Sequence, residues 1–264
     1  MALQTHNLTL KYPGKMLCRD LSLTVGGGQC WAILGQNGCG KTTLLHTLGG
    51  LHHVTGVAGD SGSPVTVAGR APHAWPRREL SRNLGILLQE EPGEFWGTVH
   101  DYVLLGRHPH GKNMFGWQAA DHDAAARAIE QMEMTGLVHR SLATLSGGER
   151  QRARIALLLA QSPLYYLMDE PLQHLDLRHQ LAVMILFREL ARQGKAVVMV
   201  LHEIGWASRF CDHVLMLFDN GRTMAGTTAQ VLNRANLAAL YQCNMDDIEA
   251  GNACHFILAS EPSV

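Results

Sequence analysis

Gly35-Gln36-Asn37-Gly38-Cys39-Gly40-Lys41-Thr42 is the stretch that decides the fold. It follows Cys30-Trp31-Ala32-Ile33-Leu34, a short apolar run of strand character, and precedes Thr43-Leu44-Leu45-His46-Thr47-Leu48, which suits a helix. Strand, glycine-rich loop, helix is the setting in which this spacing of glycines before Lys-Thr cradles phosphate. Without side chains in the way, the backbone wraps around phosphate oxygens, and its N–H groups and the helix amino terminus face the negative charge. Lys41 is predicted to reach the β- and γ-phosphates of ATP, and Thr42 to supply a ligand to Mg2+.

Upstream, Leu8, Leu10 and Tyr12, then Leu21, Leu23 and Val25, alternate as half-buried strands of an antiparallel layer do. Downstream, from about Val99 to Gln161, strand character disappears. Ala125, Ile129 and Met132 share a helical face there, and Ile155 to Leu159 are strongly apolar. Tyr165 to Met168 and Ala196 to Leu201 are continuous apolar runs separated by a helical stretch, the pattern of buried parallel strands with a crossover. Asn220-Gly221 predicts a hairpin turn between Val214-Leu215-Met216-Leu217 and Arg222-Thr223-Met224, and short helices are predicted near Gln230 and Leu237. Nothing is read from the end after about Asn252. The expectation is one α/β domain over 1–264: a core from 1–88 and 162–264 that carries the antiparallel layer, and an inserted helical subdomain at 89–161.

Composition narrows the class. With 22 Lys and Arg against 23 Asp and Glu, the chain offers no electrostatic reason to expect nucleic acid as its main partner. Cys18, Cys30, Cys39, Cys211, Cys243 and Cys254 show no paired spacing for zinc or a disulfide framework, which suits a reducing cytoplasm. No apolar run approaches the ~18 residues needed to span a bilayer, and Met1 to His6 lack the pattern of a signal peptide. Membrane attachment is therefore expected to come through a partner.

Tyr165-Tyr166-Leu167-Met168-Asp169-Glu170 places two carboxylates at the carboxyl end of a buried strand, where open α/β sheets bind ligands. Alone, that is often only a strand meeting a solvated turn. With the phosphate loop upstream, Asp169 is read as a Mg2+ ligand, direct or through water, and Glu170 as the general base for the attacking water. In Leu145-Ser146-Gly147-Gly148-Glu149-Arg150-Gln151-Arg152, Ser146 can cap a helix whose first residues are glycines with free N–H groups. That makes a second phosphate site from Ser146, Gly147 and Gly148. One ATP does not need two such sites in one chain, so the simplest use is to complete the site of another copy.

These motifs, in this order, resemble the ATP-binding-cassette ATPases over nearly the whole chain. The resemblance implies a P-loop ATPase core, hydrolysis of ATP with Mg2+, and a nucleotide-sandwiched pair of copies. It assigns Tyr12 to stacking on adenine, Gln89 to Mg2+ and the attacking water, and His202 to the γ-phosphate. Thr43 stands where serine is frequent and keeps the hydroxyl. Gln173 and His174 stand where small or hydroxylated residues are usual in the loop that passes between copies, and this leaves the communication between the two sites open.

Thr98-Val99-His100-Asp101-Tyr102-Val103-Leu104-Leu105-Gly106-Arg107-His108-Pro109-His110 resembles the membrane-facing segment of importers of cobalamin, haem and iron-siderophore complexes. The resemblance implies permease subunits in the inner membrane, a periplasmic substrate-binding protein, a peripheral cytoplasmic position and no direct contact with the cargo, and it leans towards cobalamin. His108 and His110, around a proline without a third ligand, are read as surface residues and not as a metal site. An oxyanion importer is a further alternative. Repair-type cassettes carry long coiled-coil insertions and translation-type ones two cassettes per chain, neither of which is visible here, and a regulatory module without turnover would lack Glu170. Phe95 and Trp96, in a loop of turn formers and acids, are expected either to tuck into the helical subdomain or to fill a socket with a permease helix.

Overall fold

The computed structural model describes residues 2–12, 14–52, 63–89, 95–111, 116–250 and 253–258, without the side chains of 247–250 and 253–258. Two compact units divide the chain: Met1–Ala74 with Met184–Val264, and Trp75–Val183.

The first unit opens with β1 (Ala2–Tyr12), antiparallel to β2 (Lys15–Gly26). Leu3, Leu8, Leu10, Leu21, Leu23 and Val25 are buried on one face, as the alternation predicts. The register shifts between Thr5 and Leu8, where Asn7 takes a positive φ of 46°. Buried Thr5 spans this irregularity, its hydroxyl donating to the Leu21 carbonyl at 2.8 Å and accepting from the Leu23 N–H at 2.9 Å. Tyr12, read as the next inward position, is instead 66% exposed. β3 (Cys30–Gly35) is buried throughout and leads to α1 (Lys41–Leu48), while β4 (Val65–Val67) adds a third strand beside β1.

The second unit runs through α2 (Arg77–Asn83), β5 (Leu84–Leu87), α3 (Val99–Leu104), α4 (Ala119–Gln131), α5 (Gly147–Gln161) and β6 (Tyr165–Asp169). α3, α4 and α5 pack together, burying Val99, Val103, Ala125, Ile129, Ile155 and Leu158. Each of the three starts on a capping box, closed by Asp101, Asp121 and Glu149 respectively. Asp121 also pairs with Arg107 at 3.1 Å, and Arg107 donates to the Ala160 carbonyl at 2.9 Å, so one guanidinium ties the start of α4 to the end of α5. β5 and β6 are parallel. The first residues of α6 (Leu177–Arg192) close this unit.

Back in the first unit, β7 (Ala196–Val200), α7 (Ile204–Phe210), β8 (His213–Leu217) and β9 (Thr223–Thr227) follow. β3 pairs in parallel with both β7 and β8, and β8 turns back antiparallel to β9 through the predicted Asn220-Gly221 turn. α8 (Thr228–Val231) and α9 (Arg234–Tyr241) are the two expected short helices. β10 (Met245–Ala250) and β11 (Ala253–Leu258) form an antiparallel pair that the sequence did not announce. The α/β class is as expected. Cys30 and Cys211, distant in sequence, place their thiols 3.7 Å apart in the core, and contact with Cys30 together with burial pushes the Cys211 thiol well up. Among the described residues no helix is long and apolar enough to cross a membrane.

Candidate functional site

The phosphate loop belongs to the first unit. It leaves the buried end of β3, turns through Gly38 at φ +74° and Gly40 at φ +103°, and enters α1 with Gly40 as its N-cap. The left-handed conformation at Gly40 is one that a side chain resists, and a Cβ there would also press on Leu17 at 3.0 Å. Lys41 is buried, and its ammonium donates to the carbonyls of Gly35 and Gln36, both at 2.9 Å. These neutral acceptors hold the charge in the mouth of the loop, where phosphate oxygens would bind it more strongly. Gln36 anchors the loop to α9 by donating to the Leu240 carbonyl at 3.0 Å, while Asn37 is exposed. Burial raises the Cys39 thiol, against the pull of Lys41, so it stays a packing group. Thr42 and Thr43 are half-buried in the first turn of α1.

Within this unit β3 and β7 are parallel, Ile33 opposite Val200, and the Leu201 N–H donates to the Ile33 carbonyl at 3.2 Å. His202 therefore leaves the sheet at the same end as Gly35, and it is exposed. Tyr12 ends β1 with its ring open to solvent.

The second unit holds Gln89, Asp169, Glu170 and Ser146 to Gly148. Leu87 of β5 lies opposite Met168 of β6, so the exposed Gln89 and the Asp169-Glu170 pair emerge at one end of the two strands. Asp169 is buried and Glu170 half-buried. Glu170 has a positive φ of 49°, a sparsely populated conformation of the kind that concentrates at functional sites, and its carbonyl accepts from the Gln173 N–H at 3.1 Å. Ser146 caps α5: its hydroxyl accepts from the Glu149 N–H at 3.3 Å, and the Glu149 carboxylate accepts from the Ser146 N–H at 2.8 Å. The Ser146 N–H, more than burial opposes it, holds the Glu149 carboxyl below the usual range, with help from the Ser146 hydroxyl and Arg140.

His174, also at positive φ, packs directly on Gly147 and Gly148. The pairing of this loop with the glycine turn was not visible in the sequence, where Gln173 and His174 stood out only as unusual. Gln89, Phe95, Trp96, Tyr102, Leu142 and Gln173 are among the residues lining a cleft of about 770 Å³ in this unit. Phe95 sets its ring edge-on to Tyr102 at 5.4 Å, whereas Trp96 is 85% exposed. His108 is exposed; the ring of His110 meets the Gln161 carbonyl at 2.9 Å, and burial lowers its pKa.

Residues 18–173 match the family model described as ABC transporter. The ferric enterobactin transport ATP-binding protein FepC of Escherichia coli (strain K12) is 34% identical, over 94% of this chain and 91% of its own. The hemin import ATP-binding protein HmuV of Pseudomonas entomophila (strain L48) is 36% identical, over 90% of this chain and 92% of its own. A solved structure of an inward-facing metal-chelate type ABC transporter is 30% identical and superposes with a TM-score of 0.81, over 98% of this chain and 97% of that one.

Proposed function

Because this chain belongs to the ABC transporter family, whose ATP-binding subunits hydrolyse ATP to power transport, we propose that it energises import of a metal chelate across the inner membrane. It is an ATPase with the P-loop α/β fold. The likeness to a metal-chelate type transporter along almost the entire chain carries the reading of cargo class. FepC and HmuV are named for ferric enterobactin and haemin, so among the cargoes that the resemblance implies an iron chelate is preferred over the cobalamin towards which it leans. The chain sits peripherally, on the cytoplasmic side, under permease subunits served by a periplasmic binding protein, and it does not touch the cargo.

Gly35 to Thr43 fit a triphosphate: the loop is a glycine cradle with a cation at its mouth, and Tyr12 offers a ring face to the base. Thr42, Gln89 and Asp169 offer the hard oxygen donors that suit Mg2+, which when bound neutralises charge on the phosphates. Glu170 takes the proton from the attacking water, Gln89 orients that water, and His202 contacts the γ-phosphate. Gly147 and Gly148 present the N–H groups at the start of α5, and Ser146 its hydroxyl, to the nucleotide held by a second copy, so that a pair of chains encloses two ATP.

Glu170→Gln tests this. ATP binding should persist while turnover falls roughly 10²- to 10⁴-fold, and ATP should then trap a dimer visible by light scattering. Unchanged turnover would overturn the role of Glu170, and a monomer at saturating ATP would overturn the pairing.

A further inference from the structure

Two side chains one turn apart on α5 connect the backbone beside Gln89 to the backbone beside Glu170. The Arg154 guanidinium donates to the carbonyl of Leu88, to that of Gln89 at 3.3 Å and to the Gln151 side-chain oxygen at 2.8 Å. Gln151 is buried and donates from its amide nitrogen to the Pro171 carbonyl at 3.0 Å. Pro171 follows Glu170 directly, and Glu170 is held at positive φ. The route runs from Gln89 through Arg154 and Gln151 to Pro171, and all of it lies in the second unit.

We propose that Arg154 and Gln151 are positioning residues for ATP hydrolysis, holding the Gln89 loop and the Glu170 turn in fixed register with the helix that begins at Gly147. A planar guanidinium holds two carbonyls and an amide oxygen in a fixed fork, a rigid geometry that the compact ammonium on a flexible stem does not impose. The Gln151 amide is what such a clamp needs as its second member, since it accepts from Arg154 on one side and donates to Pro171 on the other. Any displacement of the Ser146-capped end of α5 therefore reaches both backbone segments together. The inference rests on the reading of Gln89 and Glu170 as the groups around the attacking water.

The test uses the purified full-length chain and four variants: Arg154→Ala, Arg154→Lys, Gln151→Met and the double Arg154→Ala/Gln151→Met. Arg154→Ala should lower kcat by about 10- to 100-fold, the scale of a small misplacement of catalytic groups, with KM for ATP and melting temperature near wild type. Arg154→Lys should recover part of the loss, and the double variant should be no worse than Arg154→Ala because both act through one chain of bonds. Wild-type kcat in Arg154→Ala would overturn the proposal, as would additive losses that track the melting temperature. If Arg154→Ala does not fold, Gln151→Met decides by the same kcat-against-KM criterion. Glu170→Gln run alongside separates the two failures: an active Glu170→Gln sinks the underlying reading, whereas an inactive one beside a fully active Arg154→Ala sinks only this one.

Discussion

The carbonyl oxygen of His174 occupies the space that a side chain on Gly148 would need: a Cβ there would lie 2.9 Å from it, while one on Gly147 would meet the His174 side chain at an ordinary 3.5 Å. The second glycine of the turn is thus fixed by backbone packing as well as by any need to expose N–H groups. Gly148→Ala should push the 173–176 loop or the start of α5 aside and cost roughly 1 to 3 kcal/mol, the usual range for overpacking. Gly147→Ala should leave stability nearly unchanged. Thermal unfolding of the two variants checks this, and equal melting temperatures would show that the contact with His174 constrains nothing.

Lys41→Ala removes the charge that the phosphate loop keeps at its mouth, and the carbonyls of Gly35 and Gln36 lose their donor at the same time. ATP affinity should fall steeply, since an ammonium bound to phosphate is among the stronger polar contacts. Titration with a labelled nucleotide reads this directly. An unchanged dissociation constant would mean that the triphosphate binds elsewhere.

Acid should weaken the cap on α5. The carboxyl of Glu149 is held below its ordinary range in the folded chain, so its contribution is complete above the ordinary carboxylate range and is lost as pH falls through the lowered value. Glu149→Gln keeps an acceptor for the Ser146 N–H but not the charge that suits a helix amino terminus, an effect of about 0.3 to 1 kcal/mol. The variant should be less stable than the parent at neutral pH, and the gap should close in acid. A gap independent of pH would show that the charge contributes nothing.

The features read correctly from the sequence are those that a few adjacent residues specify. Glycine spacing before Lys41, alternation at Leu21 to Val25, the helical face of Ala125, Ile129 and Met132, and Asn220-Gly221 are all local patterns. What escaped depends on residues far apart in the chain. Tyr12 follows the alternation on paper, yet the register shifts before it, where Asn7 takes a positive φ, are set by pairing with β2. β10, the first strand of the pair with β11, contains Asp246, Asp247 and Glu249, acids that blur any alternation. Nothing in the sequence singled out Arg154 or the role of Gln151, because three of the acceptors they bind, on Leu88, Gln89 and Pro171, are backbone carbonyls that no sequence pattern marks.

Phe95 and Trp96, which the sequence treated alike, differ in burial. Phe95 is half-buried, edge-on to Tyr102, and its ring lies over Gly97, where a Cβ would fall 2.5 Å from the ring edge. Trp96, its neighbour, remains 85% exposed beside the same cleft. We propose that Trp96 serves an interface with the permease, since a large exposed aromatic gains nothing from folding and this one borders the cleft next to Gln89. The two truncations should therefore do opposite damage. Phe95→Ala should cost roughly 1 to 3 kcal/mol, less than the ~3 to 5 of a fully buried ring, and lower the melting temperature of the isolated chain. Trp96→Ala should leave melting temperature and ATP binding intact but abolish association with the permease, and with it transport in reconstituted vesicles. Melting curves measured beside transport separate these effects. A Trp96→Ala chain that transports normally would remove Trp96 from the interface, and a Phe95→Ala chain of full stability would show that the contact with Tyr102 is incidental.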